Sequence, residues 1–215
     1  MSIISVILSG KGGVGKSTIT VGLGRALAKK ANSVLLIDCD AGLRTLDRMT
    51  ATENNLVYDL SDIALGNCDI SQAIYKVENQ DNLFIIPAPI NEHDLPSISD
   101  FKKIIKSLHS RFDYIFLDAG AGLGASFELT SSVADNAIVV CTPDPVCVRA
   151  SFSVHNILEQ KKLPHKLIIN KFNPSLFKKI GIFEDLDRVI DETSISLLGV
   201  VPHDDNLVAF FFTRR

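Results

Sequence analysis

Gly10-Lys11-Gly12-Gly13-Val14-Gly15-Lys16-Ser17 decides how this chain is read. It satisfies the spacing G-x-x-x-x-G-K-[ST], whose glycines let the backbone curl so that its N–H groups converge on phosphate oxygens. The motif has meaning only between a strand and a helix, and both neighbours are present. Ile3–Leu8 is an apolar run of strand length on one side. On the other, Ile19, Leu23, Ala26 and Leu27 recur at helical spacing, which predicts an apolar stripe on a helix over about residues 17–31, ended by Asn32. Such a helix turns its positive N-terminal end toward the phosphates. Lys16 is then placed to neutralise β- and γ-phosphate charge, and Ser17 to offer a hydroxyl to Mg²⁺. Gly10, Gly12 and Gly15 also fit the dinucleotide fingerprint, with Asp38 about where a ribose-binding acid would sit. Lys16-Ser17 decides against that reading, since a pyrophosphate bridge needs neither the lysine nor the magnesium hydroxyl at that place.

Working outward, short apolar runs at 34–37, 83–86, 114–117, 137–140, 167–169 and 197–200 alternate with helical patterns. That alternation predicts a three-layer α/β fold, a mostly parallel twisted sheet with helices on both faces. Residues 1–215 are expected to form a single P-loop domain. No repeat, low-complexity tract or linker interrupts them, and the proline-containing stretch 87–96 is expected to be a surface loop.

Composition narrows the function classes. Apolar residues make up 46% of the chain and mean hydropathy is +0.22. They come in short runs, however, whereas a membrane span needs about 20 apolar residues in succession. The N-terminus lacks the basic region of a signal peptide, so a cytoplasmic location is expected. Cys39, Cys68, Cys141 and Cys147 show no C-x-x-C spacing and are expected to be reduced and mostly buried. A net charge of −3 makes nucleic acid an unexpected partner. His93, His109, His155, His165 and His203 share no spacing that suggests a metal site or a triad. No nucleophile-elbow motif is present.

Phe112-Asp113-Tyr114-Ile115-Phe116-Leu117-Asp118 reads as a buried strand ending in a carboxylate, suited to hold Mg²⁺ together with Ser17. Asp38 ends the second strand beside the same place, where it supports the magnesium shell or makes a structural hydrogen bond.

The additional lysine, Lys11, within Lys11-Gly12-Gly13-Val14-Gly15-Lys16-Ser17-Thr18 resembles the signature of the deviant Walker A ATPases, the MinD/ParA family. Asp38-Cys39-Asp40-Ala41-Gly42-Leu43-Arg44-Thr45-Leu46-Asp47 is similar to the switch segment of its MinD branch. Val57-Tyr58-Asp59, Asn82-Leu83-Phe84-Ile85-Ile86-Pro87-Ala88 and Asn173-Pro174 extend the likeness to about Pro202. The resemblance implies an ATPase with ATP and Mg²⁺ as ligands, slow without an activating protein partner, dimerising with ATP and acting as a spatial regulator of septum placement. It implies that Lys11 reaches across the homodimer to the partner's nucleotide, and that Asp40 positions or activates the hydrolytic water beside Lys16. Nucleotide contacts would come from Gly10, Lys11, Gly12, Gly13, Val14, Gly15, Lys16, Ser17 and Thr18, with Asn170 and Pro202 at the adenine. Asn170 at a strand end also suits a turn residue.

Two departures stand out. Ala119-Gly120-Ala121-Gly122 follows Asp118 where the branch usually has D-x-P-A-G, and flagellar-number regulators carry D-x-G-A-G. The family's membrane-binding terminal helix is also not matched, so the chain is expected to be short at its C-terminus. Phe210-Phe211-Phe212-Thr213-Arg214-Arg215 is too short for a stable interfacial helix, so a membrane anchor is not expected, and attachment would at most be peripheral, at the inner face of the membrane. A nucleotide-dependent binding module without regulated turnover, and a ParA-like or flagellar-number-type positioning ATPase, stay open as alternatives. Ligases such as dethiobiotin synthetase lack the signature lysine, and the nitrogenase iron-protein branch would need a cysteine just after Asp118.

Overall fold

The structure, a computed structural model, describes residues 1–207. Strand β1 (Ile3–Leu8) runs through the phosphate loop into helix α1 (Lys16–Ala28) and on to β2 (Val34–Cys39). Helices α2 (Thr45–Thr50) and α3 (Leu60–Leu65), then strands β3 (Tyr75–Lys76) and β4 (Leu83–Ile86), complete one side of the molecule. The chain continues through α4 (Ile98–Leu108), β5 (Tyr114–Ala119), α5 (Ala125–Ser131), β6 (Asn136–Cys141), α6 (Pro145–Gln160) and β7 (His165–Phe172). It closes with α7 (Pro174–Ile180), α8 (Leu186–Thr193) and β8 (Leu197–Pro202).

The eight strands form one sheet in the order β3-β4-β2-β5-β1-β6-β7-β8, parallel except for β3 against β4. Every residue of β2 is buried, as expected where helices cover both faces of a parallel sheet. Because β1 lies between β5 and β6, the winding changes direction there. Open α/β sheets place their crevice at such a switch point, beyond the C-terminal strand ends, and the phosphate loop follows β1 directly.

Several expectations need correcting. Helix α1 ends at Ala28, three residues early: Ala31 takes a left-handed φ of 64° and Asn32 Nδ2 donates to the Leu27 carbonyl at 3.1 Å. Of the expected stripe Ile19 is buried and Leu23 and Leu27 are half-buried, but Ala26 is exposed, and Lys16, Thr20, Val21, Gly24 and Ala28 are buried beside Ile19. Gly24 is where Leu36 and Leu83 press closest, so a small residue is needed at that point of the helix–sheet contact. Strands β2, β5 and β7 run two to three residues further than their apolar cores, so Asp38, Asp118 and Asn170 lie inside strands. Within the stretch 87–96, Pro87, Ala88 and Pro89 are buried, and the Pro87 and Pro89 carbonyls accept from the Leu60 and Gly42 amides. All four cysteines are free thiols, three of them buried. His155 and His165, unrelated by sequence spacing, meet across the α6–β7 turn with ring nitrogens 2.8 Å apart. The terminal segment 210–215 lies outside the described residues. No helix among the described residues is long and apolar enough to cross a membrane.

Strand β3 carries no apolar run and escaped the sequence reading. It is held by the Tyr75 hydroxyl, which accepts from the Val57 and Tyr58 amides at 2.9 and 2.8 Å and donates to the Tyr58 carbonyl at 3.1 Å. Tyr75→Phe strands those backbone groups, so urea unfolding should show a loss of roughly 1–3 kcal/mol at unchanged slope. An unchanged midpoint would mean that water replaces the hydroxyl without cost.

Candidate functional site

Side chains from beside the loop and from the distant strand β7 hold the phosphate loop in its curl. Ser9 donates to the Lys11 carbonyl at 2.8 Å, Asn170 Nδ2 to the Val14 carbonyl at 2.8 Å and Lys171 Nζ to the Gly13 carbonyl at 2.7 Å. Asn170 is therefore a clasp on the loop in this structure, a role beyond the base contact or turn expected of it. Lys171 was missed altogether: no local pattern marks it, and its left-handed φ of 55° is set by the fold.

Beneath the loop, the β2–β5 register sets Asp38 beside Asp118, both fully buried. Thr20 donates to Asp118 Oδ1 at 3.0 Å, while Asp118 Oδ2 is buried without a hydrogen-bond partner among the described residues. An orphaned carboxylate oxygen at a site also offering the Ser17 hydroxyl is a donor set that suits a hard cation such as Mg²⁺. Asp38 is different. Its Oδ1 accepts from the Asp40 amide at 2.9 Å and its Oδ2 from the Leu46 amide at 3.0 Å, so both oxygens are already engaged. Of the two roles considered for Asp38, the structure shows the hydrogen-bonding one: it anchors both ends of the 40–46 segment.

Burial, then the neighbouring Asp118 carboxylate, pushes Asp38 up to about 8 against the two amide bonds. Burial likewise pushes Asp118 up to about 6, opposed by the Ser17 hydroxyl, the Lys16 ammonium and the Thr20 hydroxyl. A raised carboxyl pKa means that the folded chain keeps protons which the unfolded chain gives up above about pH 4, so stability declines as pH rises through that window. Without divalent ions, urea midpoints should therefore fall between about pH 5 and about pH 8. Asp118→Asn should flatten the slope, and a slope unchanged by that substitution would place its origin elsewhere.

A cavity of about 560 Å³ opens above the loop, within the roughly 300–1,000 Å³ of small-ligand sites. Gly12, Gly13, Gly15, Lys16, Ser17 and Thr18 of the loop line it, as do Asp40, Asn170 and Pro202. Leu43 and Thr45 of the switch segment and His203 and Asp204 just after Pro202 also line it, together with Met49 and Lys171, which were not singled out from sequence. Gly10, Val14 and Lys11 belong to the loop but not to the cavity wall. Lys11 projects outward, 3.5 Å from Asp144 at the head of α6, with side chains 45% and 40% exposed.

The glycine at position 120 has a geometric reason. Its N–H donates to Ser126 Oγ at 2.8 Å, which a proline could not do, and a Cβ there would come within 3.0 Å of Asp40 Oδ1.

A family profile described as an AAA domain matches residues 1–176. The chain is 37% identical to the septum site-determining protein MinD of Bacillus subtilis (strain 168), over 94% of this chain and 77% of that protein. The MinD of the MinC:MinD cell division complex from Aquifex aeolicus superposes with a TM-score of 0.90 at 33% identity, covering 99% of this chain and 86% of that one. MinD complexed with Mg-ADP from Pyrococcus horikoshii gives 0.86 at 26% identity, with the same coverage.

Proposed function

Since this chain belongs to the MinD/ParA family of P-loop ATPases, with MinD the branch it resembles, we propose that it binds and hydrolyses MgATP as a homodimer to place the division site. The observation that carries this reading is the division of labour between two lysines of one loop. Lys16 is buried and lines the cavity, positioned for the protomer's own β- and γ-phosphates. Lys11 stands outside the cavity and exposed, which supports a role toward a second protomer's nucleotide.

Phosphoryl transfer depends mainly on positioning and charge neutralisation. The loop amides and Lys16 hold the phosphates, and Ser17 and Asp118 are the residues that would hold Mg²⁺. Magnesium, when bound, neutralises charge on the β- and γ-phosphates. Asp40, on the cavity flank, orients the attacking water. Asn170 keeps the loop closed, and Asn170 and Pro202 line the same cavity, where the base would lie. Asp38 ties Asp40 to Leu46, so the segment that orients water can respond as a unit to the γ-phosphate. Turnover is slow until an activating protein docks. The solved complex of a similar MinD with MinC supports a partner of the MinC kind.

Turnover per protomer, measured across a wide range of protein concentration with magnesium present, tests the reading. A steep rise with concentration is expected. Concentration-independent turnover would make each protomer self-sufficient and remove the trans lysine, and ATP binding without turnover would leave a nucleotide-dependent binding module.

A further inference from the structure

Behind the nucleotide site, His155, Glu159 and His165 bring three ligand-type atoms within 4.8 Å of one another. His155 and Glu159 are one turn apart on α6, and His165 opens β7 after a tight turn. His165 Nδ1 lies 2.8 Å from the Leu163 carbonyl, which can only accept, so Nδ1 carries the proton and Nε2 of the neutral ring presents a lone pair. His155 Nδ1 sits 2.8 Å from that lone pair and therefore donates to it. Glu159 Oε1 lies 4.0 Å from the same Nε2, leaving two acceptor atoms facing each other across a gap that no hydrogen bond closes.

We propose that His155 Nδ1, His165 Nε2 and a Glu159 carboxylate oxygen form a binding site for Zn²⁺ or a similar borderline divalent metal. Metal–ligand bonds of about 2.0–2.2 Å in a tetrahedral site require ligand atoms about 3.3 Å apart, between the 2.8 and 4.0 Å found here. Rotation of Glu159, whose side chain is 66% exposed, closes the larger gap. Two imidazoles and one carboxylate favour zinc over magnesium or calcium, and water completes the shell. The proton balance is simple: the His155 ring shifts its proton from Nδ1 to its outer Nε2, and no proton need leave. The Leu163 carbonyl already holds the opposite nitrogen of His165, as metal-bound imidazoles require. Phe152 stacks on His155 with ring centres 6.1 Å apart, limiting that ring's rotation.

The metal would pin the end of α6 to the start of β7. The other ends of these elements carry Asp144, the partner of Lys11, and Asn170 with Lys171, which hold the loop. The site therefore braces the nucleotide site from about 16 Å behind it, a structural rather than catalytic role.

The full chain, freed of metal by chelation, is titrated with Co²⁺ and, separately, melted with Zn²⁺. Visible bands of tetrahedral cobalt, displaced by zinc, are expected, with a rise in melting midpoint of about 5 °C at a hundredfold excess over the dissociation constant. H155Q/E159Q should lose both effects while still binding nucleotide. Should that variant fail to fold, Glu159→Gln alone should weaken zinc by at least about tenfold. No bands and no zinc-dependent stabilisation in the unmodified chain, or effects that persist in H155Q/E159Q, would overturn the site and leave a plain hydrogen bond between the two rings.

Discussion

In the Lys11→Ala variant, turnover at concentrations that favour assembly is expected to fall about 10³-fold while ATP affinity changes little. A cation delivered to the transition state by a second molecule contributes on the order of 10³–10⁵ to phosphoryl transfer. Lys11 does not line the cavity, so its removal should leave the protomer's own nucleotide contacts in place. Stability should hardly change. Its ion pair with Asp144 is long, at 3.5 Å, and both partners are well exposed, a kind of pair worth about 0–1 kcal/mol. Turnover measured against protein concentration, beside titration with a fluorescent ATP analogue, separates the two effects. Undiminished turnover would remove the trans mechanism, and lost binding would move Lys11 into the protomer's own site.

The second large effect is expected from Gly15→Ala. Gly15 takes a φ of 97°, which disfavours any side chain, and an added Cβ would lie 2.4 Å from Asn170 Nδ2. Asn170 must move, and its bond to the Val14 carbonyl breaks with it. Strain of about 1–2 kcal/mol and a lost hydrogen bond of about 1 kcal/mol add to a stability loss of about 2–3 kcal/mol. The loop amides are displaced together, so ATP affinity should fall by at least about a hundredfold, as when several positioned donors are lost at once. G15A/N170A removes the clash but neither the strain nor the missing hydrogen bond, so its urea midpoint should stay close to that of Gly15→Ala and the affinity should not return. A midpoint restored to that of the unmodified chain would place the cost in the clash and not in the backbone.

The central features of the fold were legible because their causes are local. Strand β1, the phosphate loop and α1 are contiguous, and the alternation of apolar runs with helices implies a covered parallel sheet wherever it occurs. Strand ends were misplaced because apolarity is a poor guide where a sheet ends in a polar site. Asp38, Asp118 and Asn170 interrupt the apolar pattern without interrupting the strand. Strand β3 was illegible because two residues have no period, and a tyrosine hydroxyl reaching Val57 and Tyr58 holds them.

By itself, then, the sequence determined the phosphate loop, the layered α/β class, the two lysines with their different places in the motif, and the family. Only the tertiary structure decided which distant groups complete the site. It brought Asn170 and Lys171 onto the loop, Asp144 to Lys11, Gly120 beside Asp40 and His165 to His155. It also decided that Asp38 spends its oxygens on two amides while Asp118 keeps one unpartnered. The physical reason is that a buried carboxylate or amide bonds to whichever groups the packing delivers, and those arrive from across the chain, beyond the reach of local pattern.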